Sequence, residues 1–60
     1  MADKFIVWEI KVAGSWITVS EPTFNFYMRL TCDVVKFRCG RAVFYNKNGY
    51  PTGRVYEKEV

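Results

Sequence analysis

The sequence predicts an α+β fold of order ββαββ, in which one helix packs on one face of a four-stranded antiparallel sheet. Three observations support this prediction. Residues 4–20 alternate between apolar and polar side chains around a glycine turn. Residues 23–39 contain neither glycine nor proline, and residues 41–60 form two short strand patterns separated by a loop rich in asparagine, glycine and proline.

The first two strands form a hairpin. Residues 4–12 place Ile6, Trp8, Ile10 and Val12 on one face, as expected for a strand with one apolar side. Ala13 and Gly14 supply a short turn, because glycine accepts the positive φ of a tight hairpin. Residues 16–20 return as the second strand, with Ile17 and Val19 on the same face as the apolar residues of the first.

The segment at about 22–39 fits two structures. With a period of two it is a strand, which leads to the alternative of a small all-β barrel. With a period of 3.6 it is a helix, which we favour because two strands would need a turn that the residues do not supply. One strand of this length would also be too long for a small domain. Pro22 suits the first turn of the helix and Gly40 its C′ position.

A helix over 22–39 would carry two apolar stripes, and the sheet can cover only one of them. We expect the first stripe to face the sheet: Phe26, Leu30, Val34 and Phe37. The second is either covered by the loop at 46–53 or exposed to a partner: Phe24, Met28, Cys32, Val35 and Cys39. The predicted partner-binding residues combine this second stripe with basic residues near its end: Phe24, Met28, Val35, Arg38 and Arg41.

The rest of the chain gives two more strands. Residues 41–46 are the third, a turn and loop occupy 46–53, and residues 54–60 are the fourth. If the helix covers one face of the sheet, aromatic and basic residues remain on the other. The predicted residues of this outer surface are Lys11, Trp16, Tyr45, Arg54 and Tyr56. Aromatic platforms edged by basic residues bind unpaired bases, although bare sheets use the same residues for their own stability.

Composition restricts the function classes. Sixty residues form one domain, 1–60, and a chain without histidine and with only two cysteines cannot build a closed zinc site. We therefore expect no metal and no cofactor, and the lack of a recognisable base or nucleophile predicts that the protein is not an enzyme. The helical spacing of Cys32 and Cys39 predicts free thiols, consistent with a cytoplasmic location. No signal peptide or membrane span is predicted.

Charge indicates the kind of partner. The formal net charge is +3, and the whole excess lies in residues 31–60. This distribution suits an anionic partner, either an acidic or apolar groove of another protein or nucleic acid, although solubility alone would explain so modest an excess. Our first hypothesis is a non-enzymatic protein-binding module, and the alternative is a single-stranded nucleic-acid binder. A homodimer that shares the second stripe is a third hypothesis.

Size, basic charge and the hairpin–helix–hairpin pattern resemble small accessory proteins of tailed phages. Those proteins often bind and inhibit one host enzyme or defence complex, so the resemblance implies an inhibitor or regulator. The resemblance covers no specific motif, and it assigns a role to no individual residue.

Overall fold

The computed structural model describes residues 3–59, which form one antiparallel sheet and one helix. The elements in chain order are β1 (Lys4–Val12), β2 (Ser15–Val19), α1 (Glu21–Thr31), β3 (Val34–Arg38), β4 (Arg41–Tyr45) and β5 (Pro51–Glu59). The strand order across the sheet is β2-β1-β5-β4-β3. The predicted α+β class with an antiparallel sheet is therefore confirmed, but the sheet has five strands instead of four and the element order is ββαβββ.

The middle segment is a helix followed by a strand, which corrects the prediction of one helix over 22–39. The helix ends at Thr31, and Cys32 at its C-cap already has an extended backbone. The residues that follow are mostly weak helix formers, so ending the helix here sacrifices little intrinsic stability. Val34 and Val35 instead begin β3, where β-branched side chains are favoured and pairing with β4 satisfies the backbone.

A tight turn at Cys39 and Gly40 makes this strand possible. Their φ angles are 49° and 73°, and Arg38 pairs with Arg41 across the two-residue loop. Two consecutive positive φ angles define a turn whose twist matches that of a hairpin. Gly40 is thus the second residue of a hairpin turn and not the C′ residue of a helix. The β1–β2 hairpin has the same form at Ala13 and Gly14, as the sequence predicted.

The final strand, β5, begins earlier than predicted. The side-chain amide oxygen of Asn46 accepts hydrogen bonds from the backbone N–H groups of Asn48 and Tyr50, at 2.9 and 3.0 Å, and so organises the turn. β5 then begins at Pro51, three residues before the predicted start at 54, and its predicted last residue, Val60, lies outside the described residues. The register between β4 and β5 shifts between Phe44 and Tyr45, so Thr52 forms a bulge.

The core lies where α1 crosses the sheet. Phe24 is 1% exposed and Met28 is 7% exposed, and both pack with Ile10. The ring of Phe24 lies 5.2 Å from that of Trp8 and 5.1 Å from that of Phe44, measured between centroids. Tilted and edge-on contacts of this kind suit the quadrupoles of aromatic rings.

This packing inverts the predicted stripes. Phe26 and Leu30, which we expected to face the sheet, are 63% and 69% exposed. The inward side of the helix instead carries Phe24, Tyr27, Met28 and Thr31, which are spaced 3, 1 and 3 apart as one helical face requires. The Tyr27 hydroxyl donates a hydrogen bond to the carbonyl of Lys11 and fixes this rotation of the helix.

Gly53 lets the helix approach the sheet. A Cβ atom placed on Gly53 would lie 2.6 Å from Cε and 2.7 Å from Sδ of Met28, and 2.9 Å from Cε2 of Phe24. These distances are shorter than van der Waals contact, so a side chain at this position would have to displace the end of the Met28 side chain and the edge of the Phe24 ring. The hydroxyl of neighbouring Thr52 is buried and donates to the carbonyl of Phe44 at 3.3 Å.

The two stripes of the helix can be compared by matched substitutions. Phe24→Ala should lower the free energy of unfolding by about 3–5 kcal/mol, because it empties the centre of the core. Phe26→Ala should change it by less than about 0.5 kcal/mol, because that ring is largely exposed. Urea denaturation followed by tryptophan fluorescence measures both values, and equal losses in the two variants would contradict the observed rotation of the helix.

Gly53→Ala should lower the free energy of unfolding by about 1–3 kcal/mol, because the new methyl group overpacks the core. In a Met28→Ala background the same substitution should cost clearly less, since its closest neighbour is gone. A double-mutant cycle measured by thermal or urea unfolding gives the coupling between the two sites. Strict additivity would show that Gly53 does not limit the approach of the helix.

Candidate functional site

The face of the sheet opposite the helix concentrates positive charge. The strand register places on this outer face six basic side chains and one acidic one, a formal charge of +5: Lys11, Lys36, Arg38, Arg41, Arg54, Lys58 and Glu9. The remaining charged residues of the chain sum to −2, three basic against five acidic. The modest net charge of +3 therefore conceals a strong separation between the two sides of the molecule.

Aromatic rings lie among these cations. The guanidinium carbon of Arg54 is 4.2 Å from the ring centroid of Trp16 and 5.6 Å from that of Tyr56. The ammonium group of Lys11 lies 4.9 Å from the Trp16 ring. Arg41 approaches Tyr56 at 5.7 Å. All these separations are within the range at which a cation is attracted to the face of an aromatic ring.

The same arrangement continues toward the edge of the sheet, where the ammonium group of Lys36 lies 5.2 Å from the ring of Tyr45. Cations and rings thus alternate from β2 to β3 across all five strands. Neighbouring strands are about 4.8 Å apart, so the outer face is about 19 Å wide.

One cation of the outer face is held by an ion pair. Arg54 Nε donates to Glu9 Oε1 across the β1–β5 pair, and both side chains are partly or largely buried. An ion pair shielded from water is stronger than one fully exposed. Arg54 is therefore a fixed part of the face. Lys36, Arg38 and Arg41 are exposed, and within residues 3–59 they form no ion pair.

The residues predicted for nucleic-acid binding all lie together. Lys11, Trp16, Tyr45, Arg54 and Tyr56 share the outer face. The register places Val43 and Tyr45 outward, whereas Phe44 packs on the helix side. Lys36 and Lys58 belong to the same face but were not predicted as site residues. For Lys36 the reason is that its segment was expected to be helical.

The predicted partner-binding residues are separated. Phe24 and Met28 are core residues, so no partner can contact them in the folded protein. Val35 is exposed on the helix side of β3, whereas Arg38 and Arg41 lie on the outer face next to the hairpin turn. A surface built on the second helical stripe is therefore not present, because the helix is shorter and rotated relative to the prediction.

Apolar surface is exposed elsewhere, on the part of the helix side that α1 does not reach. The 11-residue helix is about 16 Å long, whereas the molecule extends over 41 Å. The uncovered area lines a shallow pocket beside the β3–β4 turn, and we call it the apolar shelf: Ile6, Phe37, Ala42 and Val55. Phe37 is its most exposed member, at 80%.

The described part of the chain meets the requirements of neither a metal site nor a membrane-spanning helix. Among residues 3–59 there is no group of three or more histidine, cysteine or acidic side chains placed to hold a metal ion. Over the same residues no helix is long and apolar enough to cross a bilayer. The thiols of Cys32 and Cys39 are free, as predicted, although the helical spacing on which that prediction rested is absent.

Comparisons with protein-family models, curated proteins and solved structures return no match to this chain.

Proposed function

We propose that this protein is a small non-enzymatic binding module whose outer sheet face binds single-stranded nucleic acid. The observation that carries the proposal is the coincidence of charge and aromatic rings on one surface. A formal charge of +5 is spread over the same face as Trp16, Tyr45 and Tyr56. Charge alone would suit any polyanion, but interleaved rings favour a ligand with unpaired bases.

The face divides into two regions with different tasks. Near the edge formed by β3 and β4, the exposed cations Lys36, Arg38 and Arg41 would contact phosphates. Toward β1 and β2, the planar guanidinium of Arg54 lies over Trp16 and offers a surface on which a base can stack. An open sheet face suits a single strand, whose bases can turn toward the protein, better than it suits a duplex.

Two variants with equal charge change test the face. Arg41→Gln removes a cation from the outer face, and Arg29→Gln removes one from the exposed side of the helix. Both positions are exposed, so both variants should fold. With a short single-stranded oligonucleotide, Arg41→Gln should weaken binding and reduce the slope of log K against log salt by about 0.7, whereas Arg29→Gln should leave both unchanged.

Fluorescence anisotropy between about 50 and 200 mM salt supplies these slopes, and quenching of Trp16 reports contact at the other end of the face. Equal effects of the two substitutions would mean that the whole molecule attracts the ligand without a defined site. Lack of binding to DNA and RNA oligonucleotides at about 50 mM salt would rule out the proposed function.

Protein binding is the second candidate, and the apolar shelf favours it. Ile6 and Phe37 are 47% and 80% exposed beside Val55, and an exposed apolar cluster is a feature of protein interaction sites. The partner would be an acidic protein, and an inhibitor or regulator of a host enzyme or defence complex, as in the phage proteins that the chain resembles, would have this form. We propose a cytoplasmic setting, in which both thiols stay reduced.

The two candidates are separated by capture experiments with the purified chain. Protein binding predicts that a partner is retained from a cell lysate after nuclease treatment and is lost on Phe37→Ser, with Phe26→Ser as the control at another exposed ring. Retention that disappears with nuclease would instead favour the outer face. Sedimentation over a range of protein concentrations shows whether the partner is a second copy of the chain.

A further inference from the structure

The edge strand β3 has the properties of an acceptor for another strand. It borders the sheet, and all five of its residues are exposed. In an antiparallel ladder every second residue directs its N–H and C=O groups away from the neighbouring strand, so β3 presents unpaired backbone groups at its open side. Phe37, the fourth of these five residues, is 80% exposed.

The side chains of β3 form a pattern that selects an incoming strand. Lys36 and Arg38 point to the outer face, whereas Val35 and Phe37 point to the helix side next to the apolar shelf. Side chains directly opposite each other on paired strands interact across the ladder. A complementary strand therefore carries acidic residues on one face and apolar residues on the other.

We propose that β3 binds an extended segment of a partner protein in which acidic and apolar residues alternate, and that this segment adds to the sheet as a sixth strand. Its acidic residues would lie beside Lys36 and Arg38, and its apolar residues would pack against Val35 and Phe37 and extend the cover over the shelf. Backbone hydrogen bonds supply affinity in this mode and the alternating side chains supply specificity. The inference rests on the second candidate function, protein binding, and shares only Lys36 and Arg38 with the surface of the nucleic-acid proposal.

Charge argues against a second copy of the chain as the added strand. A two-fold pairing of β3 with itself would bring Lys36 and Arg38 of one molecule beside the same residues of the other on one face of the sheet. Like charges in cross-strand positions are destabilising. A lysine on an edge strand is a known device against self-association, and the same lysine accepts a strand of opposite charge.

The other edge of the sheet lacks these features. β2 carries no charged side chain. Its only aromatic residue, Trp16, is already covered by Arg54 and Lys11 on the outer face. The proposal is therefore specific to one of two available edges.

The probe is a short capped peptide of alternating glutamate and valine, with two controls: the same composition arranged in two blocks, and a peptide of alternating lysine and valine. Titration into the labelled protein should shift the backbone amide signals of β3 and slow the hydrogen exchange of its outward-facing amides. The control peptide with its residues in two blocks and the basic control peptide should both bind at least about tenfold more weakly than the alternating acidic peptide. Failure of the alternating acidic peptide to bind would overturn the proposal.

Substitutions locate the site. Phe37→Ser should weaken binding of the acidic peptide roughly fivefold, and Lys36→Glu should abolish it, whereas Phe26→Ser on the helix should have no effect. The affinity for an oligonucleotide should be unchanged in Phe37→Ser, so the strand-addition proposal and the nucleic-acid proposal can be disproved independently of each other. Shifts confined to Trp16 and Tyr56 would overturn strand addition in favour of general anion binding. Protection of β3 in the free protein together with a dimeric mass would overturn it in favour of a second copy.

Discussion

The contact of Phe24 and Met28 with Gly53 determines how the rest of the molecule is arranged. Here Phe24 and Met28 pack directly on a strand position that has no side chain. The bulge at Thr52 adjusts β5 so that this position lies under the helix. With only 11 residues, the helix can cover one part of one face. The apolar shelf and the bare outer face are consequences of that limited cover.

The outer face has to be stable without a second layer. Its rings are covered by cations from neighbouring strands, and the ion pair of Glu9 with Arg54 joins the two longest strands. Arginine and lysine stems also shield apolar atoms while their charged ends remain in water. The residues near β1 and β2 therefore stabilise the sheet. On β3 and the start of β4, Lys36 and Arg41 each lie over one ring, but they and Arg38 are exposed and form no ion pair among residues 3–59, which leaves their charge available to a ligand.

Sequence patterns predicted the parts of the fold that depend on strong local signals. The alternation in β1 and the turn at Ala13 and Gly14 were sufficient to predict the first hairpin and the outward position of Trp16. The failure at residues 32–40 has a specific cause, since the turn there uses Cys39 at a φ of 49°. A non-glycine residue is unfavourable in that conformation, although Ala13 adopts it in the first hairpin as well. Gly40 fits the C′ position of a helix equally well, so the local sequence did not distinguish a hairpin turn from a helix end. The pairing of β3 with β4 outweighs that cost.

The rotation of the helix could not be predicted for a different reason. Phe24 and Phe26 are equally apolar, and the choice between them depends on the shape of the surface beneath. Only the structure shows that Gly53 opens a space into which Phe24 and Met28 fit. Because the helix is rotated relative to the prediction, Phe24 and Met28 are buried and do not contribute to the predicted partner-binding surface. The aromatic residues of the outer face were correctly grouped because strand alternation does not depend on how far the helix extends.

Lys36 and Arg38 connect the two proposed surfaces. Both lie on the outer face and both belong to the edge strand β3. An acidic strand beside them would neutralise charge that a phosphate chain also uses, whereas Trp16 lies on the opposite edge strand, about 19 Å across the sheet. Each ligand would therefore weaken the binding of the other, because both use the same cations, and no change of conformation is required. By thermodynamic reciprocity each would weaken the other by the same factor. The degree of opposition then depends on how much of the binding free energy the β3 cations contribute, and not on the aromatic rings.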